Sequence, residues 1–179
     1  MFSRQQTDEL EKKRQAVASL YETHYERVTR YIAARIGSVD DSQELASDVF
    51  MKALRSVDSY KESGAPMEAW IFKIAHNLVV DHLRSRSRRP AYVPLEDASS
   101  LAGEDDPSKE AERRQALLNL KKAMERLSEA HRQILSLRLG AEMSSEQVAQ
   151  VIGKKPGAVR EMQSAAVKKL RQILSEMNS

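Results

Sequence analysis

Arg84, Arg86, Arg88 and Arg89 fall within six residues, and Lys154, Lys155, Arg160 and Lys168 gather at a second point further along the chain. Guanidinium and ammonium groups clustered in this way neutralise phosphate oxygens, so contact with a nucleic acid is the chemistry they suit. A solvated helix face accounts for either cluster alone; two clusters on separate segments favour a polyanionic partner. No reactive set accompanies them. His76 and His82 are six apart and do not stack on one helix face, His24 and His131 lie in other segments, and the chain has no cysteine, so no metal-ligand spacing is present. There is no Ser/His/Asp arrangement and no glycine-rich phosphate loop, and the carboxylates occupy capping positions and polar faces. The chain is therefore not expected to be an enzyme, and no metal or other cofactor is expected.

The elements that must carry these bases are helices. Only 6 Gly and 5 Pro occur in 179 residues, and helix formers dominate, which points to an all-α chain. With 41% hydrophobic and 31% charged residues, two small bundles suit the composition better than one thick core. No apolar run approaches 18 residues, and residues 1–20 are polar throughout, so neither membrane insertion nor a secretory leader is expected and the cytoplasm is the default location. The net charge of +3 conceals an ordered alternation of sign. Between Pro94 and Glu112, seven acids stand against Lys109 alone, and Pro90, Pro94, Gly103 and Pro107 interrupt the stretch. Residues 90–107 therefore read as an acidic, flexible linker between a module at 8–89 and a module at 108–177. From Leu117 onward, eleven Lys or Arg face six Glu.

In the first module Leu10, Val17, Leu20, Tyr21, Tyr25, Val28, Tyr31, Ile32 and Ile36 recur at helical spacing until Gly37. Asp40, Asp41 and Ser42 are the expected caps of a second helix, whose inner face is Leu45, Val49, Phe50, Ala53, Leu54 and Val57. Residues 59–66 read as a loop, and Pro66 suits the first position of a third helix. That helix buries Met67, Trp70, Ile71, Ile74, Ala75, Leu78, Val79 and Leu83, leaving Lys73, His76, Asn77, Asp81, His82 and Arg84 on or near its open side.

In the second module Asp106 and Pro107 start one helix and Ser128 another, which Gly140 breaks. Ser144-Ser145-Glu146-Gln147 forms a capping box for a short helix, Gly153 turns the chain, and Pro156 opens a last helix. Counted from Ser145, Ala149 is fifth, Gly153 ninth, Val159 fifteenth and Met162 eighteenth, which is helix-turn-helix spacing: a small residue for close approach, a glycine for the sharp turn, and apolar anchors on the second helix. A plain helical hairpin would keep the same apolar residues.

The stretch Trp70-Ile71-Phe72-Lys73-Ile74-Ala75-His76-Asn77-Leu78-Val79-Val80-Asp81-His82-Leu83-Arg84 resembles the promoter-melting helix of the extracytoplasmic-function sigma factors, the smallest sigma-seventy-type subunits of bacterial RNA polymerase. Residues 41–55 resemble the family's second region and residues 127–170 its fourth, in the family's order. The resemblance implies a chain that binds core RNA polymerase, directs it to promoters and assists melting. It implies that the last helix reads the upstream, minus-thirty-five element through Lys155, Arg160, Gln163, Ser164 and Lys168, with Lys154, Pro156 and Gly157 at a phosphate-binding helix start. It also implies that the 59–66 loop and third helix hold single-stranded minus-ten bases, with Tyr60, Lys61, Ser63, Gly64, Lys73, His76, Asn77, Arg84 and Arg86 as candidates. Trp70 reads as core rather than as a stacking platform. Asp41, Gln43, Glu44, Asp48, Phe50, Met51 and Lys52 would meet the polymerase β′ subunit, with β as a further partner. The linker would thread the nascent-RNA path, although a plain flexible tether explains its composition equally well, and an anti-sigma factor would mask both modules of an otherwise monomeric chain. The pattern departs from many members at Glu161, Met162 and Ala165, and in the less basic loop 61–66. The rival reading is a dimeric helix-turn-helix regulator that binds duplex DNA.

Overall fold

The computed structural model describes residues 4–62, 64–87 and 107–178. Among them are seven α-helices and no strand: α1 (Arg4–Ile36), α2 (Val39–Arg55), a 3₁₀ turn (Val57–Ser59), α3 (Met67–Ser87), α4 (Pro107–Glu125), α5 (Glu129–Leu135), a π-helical turn (Ser136–Gly140), α6 (Ser145–Ile152) and α7 (Pro156–Met177). Most of the linker expected at 90–107, with Asp106, Arg88 and Arg89, lies outside the described residues.

Gly37 ends α1 in a left-handed conformation (φ +76°), which a side chain would strain. The cap of α2 is Ser38, whose hydroxyl accepts from the Asp41 N–H at 3.3 Å. Asp40 and Asp41 instead sit in the first turn, where their charge complements the helix dipole, and Ser42 is buried with its hydroxyl turned back to the Ser38 carbonyl. The expected caps were thus displaced by a residue two positions earlier, because Gly37 lets the chain reverse at once. Pro66 likewise stands just ahead of α3, its carbonyl accepting from the Trp70 N–H at 3.1 Å.

Helices α1 to α3 form the first bundle. Val28, Tyr31 and Ile32 meet Ala46, Val49, Phe50 and Ala53 of α2 and Ile71, Phe72, Ala75 and Val79 of α3 in one buried cluster. In the second bundle α4, α5 and α7 share a smaller cluster of Ala123, Leu127, Leu135, Ala166, Leu170 and Ile173. The helix-turn-helix is α6 and α7. Ser144 and Gln147 complete both bonds of the capping box, Gly153 takes φ +68° at the turn, and Pro156 opens α7 behind Lys155.

The two bundles also pack on each other. Ile134, Leu137, Ala141, Met143, Val148, Ala149, Val151 and Val159 continue the first bundle's cluster, so α6 lies on α3 and the π turn lies on α1. Around this apolar seam, Arg27 donates from Nε and Nη2 to the Ala141 carbonyl (2.9 and 2.7 Å), Arg30 pairs with Glu142 (3.0 Å), and Gln147 donates to Glu68 (3.3 Å). Glu142 has φ 55°, the one positive value at a non-glycine among the described residues; the turn into α6 is held there by arginines of α1.

Phe72 is fully buried, its ring edge-on to Tyr31 and capped by the Arg27 guanidinium at 5.7 Å. Phe72→Ala is expected to cost about 3–5 kcal/mol, from lost transfer energy and the cavity left behind. Urea unfolding measures it, and a loss under about 1 kcal/mol would contradict this packing.

Candidate nucleic-acid interface

The N-terminus of α7 carries the first basic face. No side chain caps Lys155, Pro156 has no N–H, and the backbone N–H groups of the first turn lack helical partners beside exposed Lys154, Lys155 and Gly157. Along the same side, Arg160, Gln163, Ser164, Val167, Lys168 and Arg171 line a shallow groove of about 490 Å³. Gln163 is oriented from below: Arg138 Nε donates to its Oε1 at 2.7 Å while another Arg138 nitrogen donates to the Met143 carbonyl. An arginine offers only donors, so one lone pair of the Gln163 carbonyl is engaged and its NH₂ has no partner assigned by this bond. The NH₂ suits an acceptor such as guanine O6 or N7 or thymine O4.

Arg160 forms a 3.1 Å ion pair with Glu146 of α6, both side chains being about two-thirds exposed. Glu146 is held below the usual carboxylate range by its own backbone N–H first, with Arg160 and the Ser144 hydroxyl adding to the effect. An exposed pair of this kind contributes little because water screens it, so Arg160 is readily transferred to a phosphate or base. Arg171 and Arg138 were not among the sequence candidates. The spacing 160, 164, 168, 171 is a helical stripe and contains the signal for Arg171; nothing local marks Arg138.

The second face lies on α3. Lys73, Asn77 and Arg84 are exposed on one stripe, and Lys61 and Gly64 are exposed on the loop, where the Gly64 N–H donates to the Lys61 carbonyl at 3.1 Å. Ser63 lies outside the described residues. Three expected members are engaged elsewhere. Tyr60 is 8% exposed, with its ring 5.2 Å from Trp70 and its hydroxyl donating to the Ala65 carbonyl at 3.1 Å, so its aromatic face is not free for a base. Arg86 donates to the Ile36 carbonyl at 3.2 Å, satisfying the end of α1. His76 faces the seam between the modules, with the Tyr31 hydroxyl and the Gln133 amide each 3.3 Å from its ring.

On α2, Gln43, Glu44, Asp48, Met51 and Lys52 are exposed and Asp41 is half-buried. Phe50 is 3% exposed and therefore does not reach the surface; it lies under Tyr21, edge-on at 5.2 Å. Tyr21, Met51 and Leu54 are large apolar side chains that α1 and α2 leave exposed, as is Val39 at the start of α2. Sequence periodicity assigned Tyr21 and Leu54 inward, because a helical stripe predicts direction and not whether a neighbour covers it.

Arg35 closes the seam. Its side chain is fully buried, it donates to the Tyr31 hydroxyl at 3.2 Å, and it pairs with Glu129 of α5. Burial pushes the Tyr31 hydroxyl up to about 12 against the pull of Arg35, so it stays protonated. His76 titrates below its ordinary 6.5, chiefly because it is buried and then because Arg35 repels a second cation, with Glu129 opposing. Among the described residues no group of three or more His, Cys, Asp or Glu could hold a metal ion, and no helix is long and apolar enough to cross a membrane.

A three-helix bundle joined to a helix-turn-helix, each presenting a basic helix face outward, defines a two-module helical DNA-binding protein. The Sigma-70 region 2 family matches residues 20–89 and the Sigma-70 region 4 family matches residues 123–172. The ECF RNA polymerase sigma factor BldN of Streptomyces coelicolor is 32% identical over 164 residues, covering 90% of this chain and 61% of BldN. ShbA of Streptomyces griseus, also an ECF RNA polymerase sigma factor, is 32% identical over 139 residues, covering 75% of this chain and 72% of its own. The chain belongs to the ECF RNA polymerase sigma factors. It thus spans 61% of the length of BldN and about three quarters of ShbA. The fold is shared with RpoE in its complex with the anti-sigma factor NepR from Bartonella quintana (TM-score 0.68, 22% identity, 88% of this chain and 96% of that one). It is also shared with CnrH in complex with the cytosolic domain of CnrY (TM-score 0.67, 21% identity, 90% and 89%). Two sigma regions in order do not favour the dimeric regulator.

The docked state prefers a neutral His76, so the contribution of this ring to docking is fully present above its ordinary value near 6.5 and is lost as pH falls below it. The charged and titratable groups around the ring are Arg35 and Tyr31 from α1 and Glu129 from α5. Since the chain has no native cysteine, dyes on Ser19→Cys and Gln172→Cys report the separation of the modules. Energy transfer is expected to fall between about pH 7 and about pH 5, and His76→Gln to flatten the fall. Transfer that rises on acidification would contradict this sign.

Proposed function

We propose that this chain binds core RNA polymerase, directs it to promoters and assists strand separation, contributing recognition while the polymerase performs all bond-making. It works in the cytoplasm, where its polymerase and template are found, and has no catalytic residue of its own. The observation that carries this reading is the pair of outward basic faces, one on each sigma region: Arg160, Gln163, Ser164 and Lys168 on α7, and Lys73, Asn77 and Arg84 on α3. Residues 8–89 are the polymerase- and minus-ten-binding module, 90–107 the linker and 108–177 the minus-thirty-five module.

On α7 the bare helix start and Lys154 fix register on a phosphate, while Arg160 and the Gln163 NH₂ meet base edges in the major groove. On α3 Lys73 and Asn77 meet the edges of unpaired bases, with Arg84 on phosphate and the 61–65 loop as the pocket. On α2 Gln43, Glu44, Asp48 and Lys52 flank an apolar centre of Met51, Leu54 and Tyr21, the arrangement of a protein-binding patch, which we assign to the β′ subunit, with β near the linker.

The two promoter elements lie on the order of 80 Å apart along duplex DNA at about 3.4 Å per base pair, whereas the modules touch in the docked arrangement. Serving both elements therefore requires the seam to open, and the linker permits it. An anti-sigma factor is the partner we assign to the unengaged chain, as RpoE of Bartonella quintana has one in NepR.

Transcription by purified core polymerase with and without the chain tests the reading. Arg160→Ala is expected to weaken promoter use about tenfold or more and relax preference at one minus-thirty-five position, since a good base contact is worth about 1–3 kcal/mol. Arg84→Ala is expected to lower open-complex formation on all promoters and to shallow the salt dependence by about one phosphate contact. Equal activity of both variants across salt concentrations would contradict the assignment.

A further inference from the structure

Sixteen residues of α1, 4–19, precede the stretch that matches Sigma-70 region 2 from residue 20. They are not an appendage. Leu10, Lys13 and Val17 continue the apolar stripe of α1 at i, i+3 and i+7, Val17 is 1% exposed within the core, and Leu10 packs against it.

The residue between them is a lysine, and a lysine on a buried stripe must find partners for its ammonium. The Lys13 side chain is 15% exposed; its Nζ pairs with Glu9 one turn back at 3.1 Å and donates to the main-chain carbonyl of Tyr60 at 3.3 Å, across 47 residues of sequence. Tyr60 is the residue on which the next loop depends. Its N–H donates to the Val57 carbonyl at 3.1 Å and ends the 3₁₀ turn, its ring lies against Trp70, and its hydroxyl donates to the Ala65 carbonyl at 3.1 Å. One side chain thus ties Tyr60 to Ala65 across the loop, an arch in which, among the described residues, the Gly64 N–H donates to the Lys61 carbonyl at 3.1 Å. Lys13 links the N-terminal part of α1 to this loop through the Tyr60 carbonyl.

We propose that the N-terminal extension of α1 is a brace for the 61–65 loop, with Lys13 as the positioning residue that fixes the loop's conformation and so sets the first module's selectivity for the unpaired base it takes. The proposal rests on the reading of that loop as the base pocket. Lys13 touches no nucleic acid in it. The ammonium acts through the Tyr60 carbonyl: without it, Tyr60 keeps its ring contact but loses the bond that fixes its peptide plane, and the arch gains freedom.

The test uses the full chain with core polymerase. Lys13→Met keeps the aliphatic stem and removes the ammonium; Lys13→Arg keeps a donor. Hydrogen exchange reads the brace without any DNA: the Gly64 amide is expected to exchange about tenfold faster in Lys13→Met, with α2 amides unchanged and Lys13→Arg near the parent. Transcription from promoters varied only at minus-ten bases is expected to show discrimination falling about fivefold in Lys13→Met. Discrimination among minus-thirty-five variants and affinity for core polymerase are expected to stay within twofold.

Unchanged Gly64 exchange in Lys13→Met overturns the brace. Faster exchange with intact minus-ten discrimination overturns the link to selectivity, provided a loop variant, Lys61→Ala, does alter discrimination. If Lys61→Ala is silent as well, the pocket reading of the loop fails and takes the selectivity claim with it. Should Lys13→Met lower the unfolding temperature and speed exchange throughout α2, the residue is merely structural and the proposal is overturned.

Discussion

A guanidinium taken wholly out of water is the constraint around which this molecule is arranged. Arg35 comes from α1, its carboxylate partner Glu129 from α5, and its other neighbours are the Tyr31 hydroxyl and the His76 ring. Burying one charge costs several kcal/mol unless it is paired, and the pair returns that cost only while both modules stay in contact. When the modules part, Arg35 regains water and Glu129 is already more than half exposed, so neither is stranded. The seam therefore holds the closed arrangement without making it hard to leave. The mixture of apolar packing and polar bonds around it, Arg27 to Ala141, Arg30 to Glu142 and Gln147 to Glu68, has the character of a reversible interface between domains.

The docked arrangement leaves the proposed reading surfaces open. Lys73, Asn77 and Arg84 on α3 and Arg160, Ser164 and Lys168 on α7 remain exposed; docking occupies the other faces of α3 and α6. What it fixes is the distance between the two surfaces, and in the proposed function, where one chain serves two separated DNA elements, that distance is limiting. Control by separation needs no residue with two chemical roles, only a seam whose strength is close to that of a competing partner.

Much of the architecture was legible along the chain, since helix boundaries depend on residues close in sequence. The Ser144–Gln147 capping box, Gly153 at the turn, Pro156 at the start of α7 and Ser128 before α5 stand where local chemistry requires them. The misplaced cap of α2 is also local: Ser38 and Asp40 are both good caps, and the left-handed Gly37 decides between them. Legibility fails where burial is decided by distant residues. Arg35 ends α1 as an ordinary solvated cation would, and only Glu129, 94 positions away, explains its burial. His76 and Tyr60 read as exposed polar groups of a nucleic-acid face, yet one is covered by the second module and the other by Trp70. Periodicity places both Tyr21 and Phe50 inward and only the resemblance places Phe50 on an outer face; tertiary packing decides which of the two stacked rings reaches water, and it is Tyr21.

On the function proposed here, this chain changes where an RNA polymerase begins. Mapping the 5′ ends of transcripts made by purified core polymerase on a pool of genomic fragments, with and without the chain, tests it most directly. Starts are expected to collapse onto a set of fragments sharing two short elements at one fixed spacing, with the chain acting as a monomer. Starts that keep the scattered pattern of core polymerase alone, or a chain that occupies a single palindromic site as a dimer without redirecting initiation, would contradict it.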